Sequence, residues 1–129
     1  MKATFSTKGF AEYLEKIAQA GLDVDKAAAN AVAAGGNVLL EGMQRRVPRL
    51  TGELAKALER TEPEQDGNYI FVEVGVSIDA EDEVARYGNV QEFGSAHTPA
   101  QPYIRPSIDE DRSKVFQAQK KSLEQDGLI

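Results

Sequence analysis

The segment from about Val24 to Val47 constrains the fold more than any other part of the sequence, because it predicts one long uninterrupted helix. Asp23 or Asp25 can cap its N-terminus, and Pro48 ends it because the residue before a proline is pushed out of the helical region. At about 100 degrees per residue, large apolar side chains fall on one arc of this helix. Its members are Val32, Leu39, Leu40, Met43 and Val47. We expect this arc to lie in the core of the domain.

An adjacent arc of the same helix carries only small residues, which would let another backbone approach closely. Its members are Ala27, Ala28, Ala31, Ala34, Gly35 and Gly42. Such a close-packing face fits the first or last helix of the same chain, and it fits a second subunit equally well. The sequence leaves both alternatives open.

The flanking segments predict an α+β domain in which helices accompany a small antiparallel sheet. Residues 1–22 predict a short amphipathic N-terminal helix, which could be an appendage of the domain. Thr51 is a good N-cap for a short third helix, in which Leu54 and Leu58 form an apolar pair. The C-terminal part predicts one further helix after a proline-rich segment.

A hairpin is predicted around Asp66 and Gly67, a strong turn signal. After the turn, apolar residues alternate with other residues from Ile70 to Ile78, as expected for a strand with one buried face. The strand before the turn contains Pro63, which confines it to a sheet edge or to a bulge. The acidic run that follows, from Asp79 to Glu83, is best explained as a solvated loop tip.

A strap (residues 94–106) is predicted between the hairpin region and the last helix. Gly94 permits a turn after Phe93, and the three prolines of the strap reduce the entropy lost on ordering. Phe93 and Tyr103 are predicted to be buried anchors. Ser107 and Glu110 form a capping-box pattern that would start the final helix. One side of that helix is apolar and comprises Ile108, Val115, Phe116 and Leu123.

Composition limits the function classes. At 129 residues the chain predicts a single domain, residues 1–129. It shows neither a secretory signal nor an apolar run long enough for a bilayer, so we expect synthesis in the cytoplasm and no membrane attachment. The lack of cysteine excludes disulfides and thiolate metal sites, and the single histidine excludes a histidine cluster within one chain. We predict no cofactor and no metal.

Individual residues suggest two other functions, nucleic-acid binding and hydrolysis. The net charge of −6 argues against nucleic-acid binding, since such proteins usually present a basic face. The one basic cluster, Arg45, Arg46 and Arg49, is explained by the dipole at a helix C-terminus, with a DNA-contacting factor as the alternative. A hydrolase could use Glu92 and His97 as an acid/base pair, Ser95 as nucleophile and Arg105 to hold an anion, but no accompanying catalytic motif supports it. We therefore predict no catalytic residue.

Several motifs in order carry a family resemblance. They are Pro48, then Thr51-Gly52-x-Leu54, Tyr87, Val90-Gln91-Glu92-Phe93-Gly94-Ser95, and Ala100-Gln101-Pro102-Tyr103-Ile104-Arg105-Pro106. In this order and spacing, the chain from about the second helix to the last resembles the gene-product-ten-like family of long-tailed bacteriophages. Those are small proteins of the head-tail joining region, also described as tail-completion, neck or minor tail components.

The resemblance implies a structural protein of the virion, made in the host cytoplasm, that helps to form the ring between head and tail. It implies self-association, six-fold or related, and contact with neighbouring neck and tail-tube proteins, with DNA passing through the ring without specific binding. A tail terminator or a portal-side adaptor is the alternative within the same class. The close-packing face, the hairpin edge and the strap are three candidate surfaces for the head-to-tail contacts that a ring requires.

Overall fold

The computed structural model describes residues 2–6, 23–49, 51–67 and 69–129. The described elements are, in chain order, β1 (Lys2–Ser6), α1 (Val24–Arg46), α2 (Glu53–Ala57), β2 (Leu58–Arg60), β3 (Glu64–Asp66), β4 (Tyr69–Val76), α3 (Asp82–Phe93), α4 (Ile104–Glu110) and α5 (Arg112–Gln125). The predicted α+β class is confirmed. Most of the predicted N-terminal helix, residues 7–22, lies outside the described residues, and residues 2–6 form a strand that was not predicted.

The described strands form an antiparallel sheet with β4 at its centre. β1 pairs with one side of β4, while β2 and β3 pair in succession with the other side. Arg60 lies opposite Val74 and Glu64 lies opposite Phe71, so four steps along the β2–β3 segment match three steps along β4. The extra residue forms a bulge that contains Pro63, as predicted, since proline cannot donate to a sheet ladder.

Helix α1 occupies the centre of the fold, and its bounds agree with the prediction. The Asp23 side chain accepts a hydrogen bond from the Lys26 backbone N–H at 3.1 Å, which caps the helix. Val32 and Met43 are fully buried and belong to the same core as Val72 and Val74 of β4. A Cβ placed at Gly36 would lie 2.9 Å from Cγ2 of Val72, so glycine allows this helix to lie close to the sheet.

The close-packing face of α1 receives the last helix of the same chain. Ala27 and Ala31 form a buried apolar cluster with Leu123 and Leu128. The Asn30 side-chain amide donates to the Asp126 carboxylate at 3.0 Å, at the C-terminal end of α5. Four small residues of this face, Ala28, Ala31, Gly35 and Gly42, are buried. Of the two alternatives that the sequence left open, the described structure shows the contact within the chain.

Some local predictions are wrong. Asp82 and Glu83 of the supposed loop tip form the first turn of helix α3, and Glu92 and Phe93 form its last residues, while the chain turns after Phe93 at Gly94 as predicted. Leu58 is the first residue of β2 and is not in a helix. Phe116, predicted to face the core, is 52% exposed. Helix α3 was not predicted because its buried side is formed largely by Gly88, Gln91 and Glu92, so it shows no apolar stripe.

The predicted capping box at Ser107 does not start a helix. Helix α4 begins at Ile104, so Ser107 lies within it, and its hydroxyl donates to the Tyr103 carbonyl at 2.6 Å. A second helix, α5, follows after Asp111. Pro106 is tolerated because it lies in the first turn of α4, where a backbone N–H has no partner within the helix.

Candidate assembly site

The Glu92 side chain organises the region around the strap. This residue is only 5% exposed, and its carboxylate accepts hydrogen bonds from three successive backbone N–H groups. Oε2 accepts from Tyr103 at 2.9 Å and from Ile104 at 2.9 Å, and Oε1 accepts from Arg105 at 3.1 Å. These donors lie at the N-terminus of α4, where backbone N–H groups lack helical partners and a negative charge is favoured. Glu92 therefore fastens the end of α3 to the start of α4.

The extended part of the strap, residues 94–102, is an exposed loop that is fixed at its ends. Gly94 has φ 78°, a left-handed conformation that favours glycine, and a Cβ there would lie 3.0 Å from the Ala100 nitrogen. The Ser95 N–H donates to the Thr98 carbonyl at 2.8 Å, and the Gln101 N–H donates to the Gln91 carbonyl at 2.7 Å. The remainder of the strap enters α4.

The two predicted anchors differ sharply in burial. Tyr103 is 1% exposed, as predicted, and its hydroxyl donates to the Gly88 carbonyl at 3.3 Å. Burial, and to a lesser degree the nearby Glu92 carboxylate, raises the pKa of Tyr103 to about 12. Phe93 is 57% exposed, so the prediction of a buried anchor is wrong. Successive helical residues point about 100 degrees apart, so the orientation that buries Glu92 turns Phe93 outward.

The motif residues gather in two surface grooves. The strap groove is lined by Glu92, Phe93, Ala100, Pro102, Arg105, Pro106, Asp109 and Glu110. A second groove, between α2 and α3, is lined by Thr51, Glu53, Leu54, Glu83, Val84 and Tyr87. The prediction of Thr51 as the N-cap is wrong by one residue, because Gly52, with φ 81°, directly precedes α2. The Thr51 hydroxyl still accepts a hydrogen bond from the Glu53 N–H at 3.3 Å. Pro48 is half-buried just after α1.

A second polar centre, which sequence reasoning missed, joins α1 to the junction of α4 and α5. Asp111 is 2% exposed, and Arg46 binds it through two nitrogens, Nη1 to Oδ2 at 2.7 Å and Nη2 to Oδ1 at 3.2 Å. Ser107 accepts from Arg46 at 3.1 Å, and Arg45 adds a contact to Asp111 at 3.2 Å. The hydrogen bond from Arg46 holds the pKa of Asp111 below its ordinary value of 3.8.

This centre accounts for most of the basic cluster. Arg46 binds Asp111 and also contacts Glu110 at 2.9 Å. The Arg49 guanidinium donates a hydrogen bond to the Gln44 carbonyl at 2.6 Å. Arg45 keeps a side chain that is 53% exposed. A Cβ at Gly42 would collide with the Asp111 carboxylate, so the glycine of the close-packing face makes room for the ion pair. No local sequence pattern links Arg46 to Asp111, because 65 residues separate them.

The residues considered for hydrolysis have other roles in the described structure. Glu92 is buried with its oxygens occupied, and His97 lies exposed in the strap. The Ser95 hydroxyl accepts hydrogen bonds from the backbone N–H groups of His97 at 3.3 Å and Thr98 at 3.1 Å. Within the described ranges, no three acidic, histidine or cysteine side chains are grouped to hold a metal ion. In the same ranges, no helix has the length and apolar character to cross a bilayer.

Comparison with protein families supports the expected resemblance and corrects its extent. The family model described as "Bacteriophage HK97-gp10, putative tail-component" matches residues 8–94, about two thirds of the chain. The match begins earlier than expected, and it includes Pro48, the Thr51–Leu54 motif, Tyr87 and Glu92–Gly94 but not residues 100–106. No curated protein and no solved structure matches the chain. The matched share shows that the chain belongs to the HK97-gp10-like family of bacteriophage tail components.

Proposed function

We propose that the protein is a structural subunit of the ring that joins head to tail in a tailed phage or prophage. In this role it is a tail-completion or neck protein that self-associates, with six-fold or related symmetry, and contacts the neighbouring neck and tail-tube proteins. Membership of a tail-component family supports a location in the virion. In this role the protein acts through its surfaces rather than by catalysis.

The observation that carries the proposal is the exposure of Phe93 beside a rigidly held groove. Phe93 is 57% exposed, whereas the adjacent Glu92 is buried and holds three backbone N–H groups. Large aromatic side chains are enriched at interface hot spots, and a preformed surface loses little entropy on binding. The strap groove is therefore well suited to receive another protein of the assembly.

The alternatives within this class differ in the neighbour that the ring contacts. A tail terminator would cap the tail tube, and a portal-side adaptor would contact the head side of the neck. Both roles would use the same surfaces of this protein, so the identity of the neighbour that binds distinguishes one role from the other. A DNA-contacting packaging factor is less well supported, because Arg46 and Arg49 are engaged within the chain and the net charge is −6.

The test is reconstitution with the neighbouring neck and tail-tube proteins of the same phage, followed by light scattering coupled to size exclusion. We expect a discrete ring-sized complex, and we expect Phe93→Ser to weaken it. Ile78→Ser is the matched control, because Ile78 is another exposed apolar residue, 85% exposed, remote in sequence from the strap. A protein that remains a monomer with both neighbours present would overturn the proposal.

A further inference from the structure

The exposed side of α5 is basic, in contrast to the chain as a whole. Between Arg112 and Leu123 the helix contains four cationic residues and no acidic one, although the net charge of the protein is −6. The four are Arg112, Lys114, Lys120 and Lys121, and all are exposed. Arg112, Phe116 and Lys120 recur every fourth residue and so lie in one line, the basic stripe. Phe116, at its centre, is 52% exposed.

The β2–β3 edge of the sheet has the opposite charge. Four carboxylates lie along it, and we name them the acidic edge: Glu59, Glu62, Glu64 and Asp66. Glu64 lies opposite Phe71 and Asp66 opposite Tyr69, so these carboxylates flank two half-buried aromatic rings with centroids 6.1 Å apart. Among the described strands, β3 pairs only with β4.

The one basic residue within this edge points away from it. The Arg60 guanidinium donates to the Asn37 side chain of α1 at 2.7 Å and to the Thr61 carbonyl at 2.9 Å. Arg60 lies opposite the buried Val74 of β4, on the face of the sheet that packs against α1. Glu59 lies opposite Gly75, on the other face. The acidic edge is thus not neutralised by its own arginine.

The basic stripe and the acidic edge lie on different sides of the molecule. Helix α1 packs against β4 through the side that carries Gly36, and against α5 through the side that carries Ala27 and Ala31. Because α1 separates the sheet from α5, the outer surfaces of these two layers face in roughly opposite directions. The two complementary surfaces cannot meet within one chain.

We propose that the basic stripe of one copy docks on the acidic edge of the next copy. This inference rests on the proposed function and assigns surfaces to its self-association. Phe116 would pack beside Tyr69 and Phe71 while Arg112 and Lys120 face Glu62 and Glu64. A contact between two different surfaces is head-to-tail, so it propagates from copy to copy and forms a ring when the rotation closes. Complementary charge fixes the register of the contact and speeds association.

The other candidate occupant of the basic stripe is duplex DNA. The described structure favours a second copy for two reasons. Phe116 at the centre of the stripe gives an apolar core with a polar rim, as in protein interfaces, whereas a phosphate backbone offers nothing apolar to such a residue. The same chain also provides a complementary acidic surface with its own aromatic residues.

The experiment reverses charge on each surface in the full chain. One variant carries Arg112→Glu with Lys120→Glu, and the other carries Glu62→Lys with Glu64→Lys. All four positions are exposed. Glutamate at 112 loses a weak exposed contact of Arg112 with Asp109 at 3.9 Å, while a negative charge is favoured in the first turn of α5. We expect wild-type self-association, measured by light scattering over a wide concentration range at low salt, to weaken by about tenfold or more in each variant.

The decisive measurement is an equimolar mixture of the two variants. Each variant then offers the surface that the other has lost, so association should return in the mixture. Lys26→Glu with Lys56→Glu changes the net charge by the same amount as Arg112→Glu with Lys120→Glu, but on α1 and α2, and should leave association unchanged. The inference is overturned if wild type is monomeric throughout, if neither reversal weakens association, or if the mixture fails to associate.

Further outcomes distinguish a failure of this inference from a failure of the proposed function, and self-docking from DNA binding. If the reversed variants still assemble with the neck and tail-tube neighbours as wild type does, the surface assignment fails while the proposed function stands. If wild type fails to join those neighbours, the proposed function fails. DNA binding is tested by fluorescence anisotropy with a short duplex. The self-docking inference would be overturned if Arg112→Glu with Lys120→Glu abolished DNA binding but left the mass of the protein in solution unchanged.

Discussion

The carboxylate of Glu92 accepts a hydrogen bond from the backbone N–H of Tyr103 at 2.9 Å, in a buried contact between residues eleven positions apart. The same carboxylate serves as the cap of α4, which has no side-chain cap from its own N-cap residue. The strap therefore leaves α3 and returns to it within a closed loop. The Glu92 side chain closes this loop together with the backbone hydrogen bond from Gln101 to Gln91.

Replacement of Glu92 by alanine is expected to lower the free energy of unfolding by about 2–3 kcal/mol, because it removes a helix cap and leaves buried N–H groups without partners. Urea denaturation monitored by circular dichroism measures this loss. Glu92→Gln keeps one carbonyl oxygen and should lose less than alanine. Equal stability of wild type and Glu92→Ala would show that solvent replaces the carboxylate without cost.

Phe93 and Tyr103 should respond differently to truncation. Tyr103→Ala removes a side chain that is 1% exposed and should cost about 3–5 kcal/mol. Phe93→Ala, at a site that is 57% exposed, should change stability by no more than about 0.5 kcal/mol. Thermal or urea unfolding of the two purified variants measures the difference. A large loss of stability in Phe93→Ala would contradict the exposure seen here.

The Tyr103 hydroxyl should make the fold sensitive to alkaline pH. Its folded pKa, about 12, lies above the ordinary value of 10.0, so the neutral phenol is favoured by folding. The resulting stability is fully present below pH 10 and is lost as pH rises through about 12. Tyr103→Phe should lack this component, and the quantity to compare is the difference in unfolding free energy between wild type and variant from pH 9 upward. A difference that does not vary with pH would refute the assignment.

The Asp111 carboxylate should have the opposite effect at acid pH. Its folded pKa is held below the ordinary value of 3.8, chiefly by the hydrogen bond from Arg46. The stabilisation is therefore present above pH 3.8 and is lost as pH falls through the folded pKa. Asp111→Asn should be less stable than wild type near neutrality, with the gap narrowing below pH 4. A gap that stays constant to the lowest accessible pH would show that Asp111 contributes no charge-dependent stability.

The long helix was predictable because its signals are local. A cap at Asp23, an apolar arc and a proline just beyond the end all act within or next to the helix, and they set its bounds nearly to the residue. The bulge at Pro63 was predictable for the same reason, since the restriction belongs to proline itself.

The features that could not be predicted depend on contacts between residues that are distant in the sequence. Strand β1 is defined by pairing with β4 some seventy residues later, as in the match of Ala3 with Val74. Helix α3 was missed because a buried glutamate and glutamine replace an apolar stripe, and without that helix the outward direction of Phe93 could not be inferred. The pairing of Arg46 with Asp111 likewise arises only when α1 and the α4–α5 junction are brought together.

The bulge at Pro63 also bears on how the protein avoids aggregation. An open strand edge is a template on which further strands can add without limit, and natural proteins interrupt such edges with proline, bulges and charge. The β2–β3 segment has all three, because Pro63 breaks the ladder and Glu62 and Glu64 flank it. We therefore expect contacts at this edge to be made by side chains rather than by strand addition, so that free subunits resist the unlimited pairing that builds fibrils.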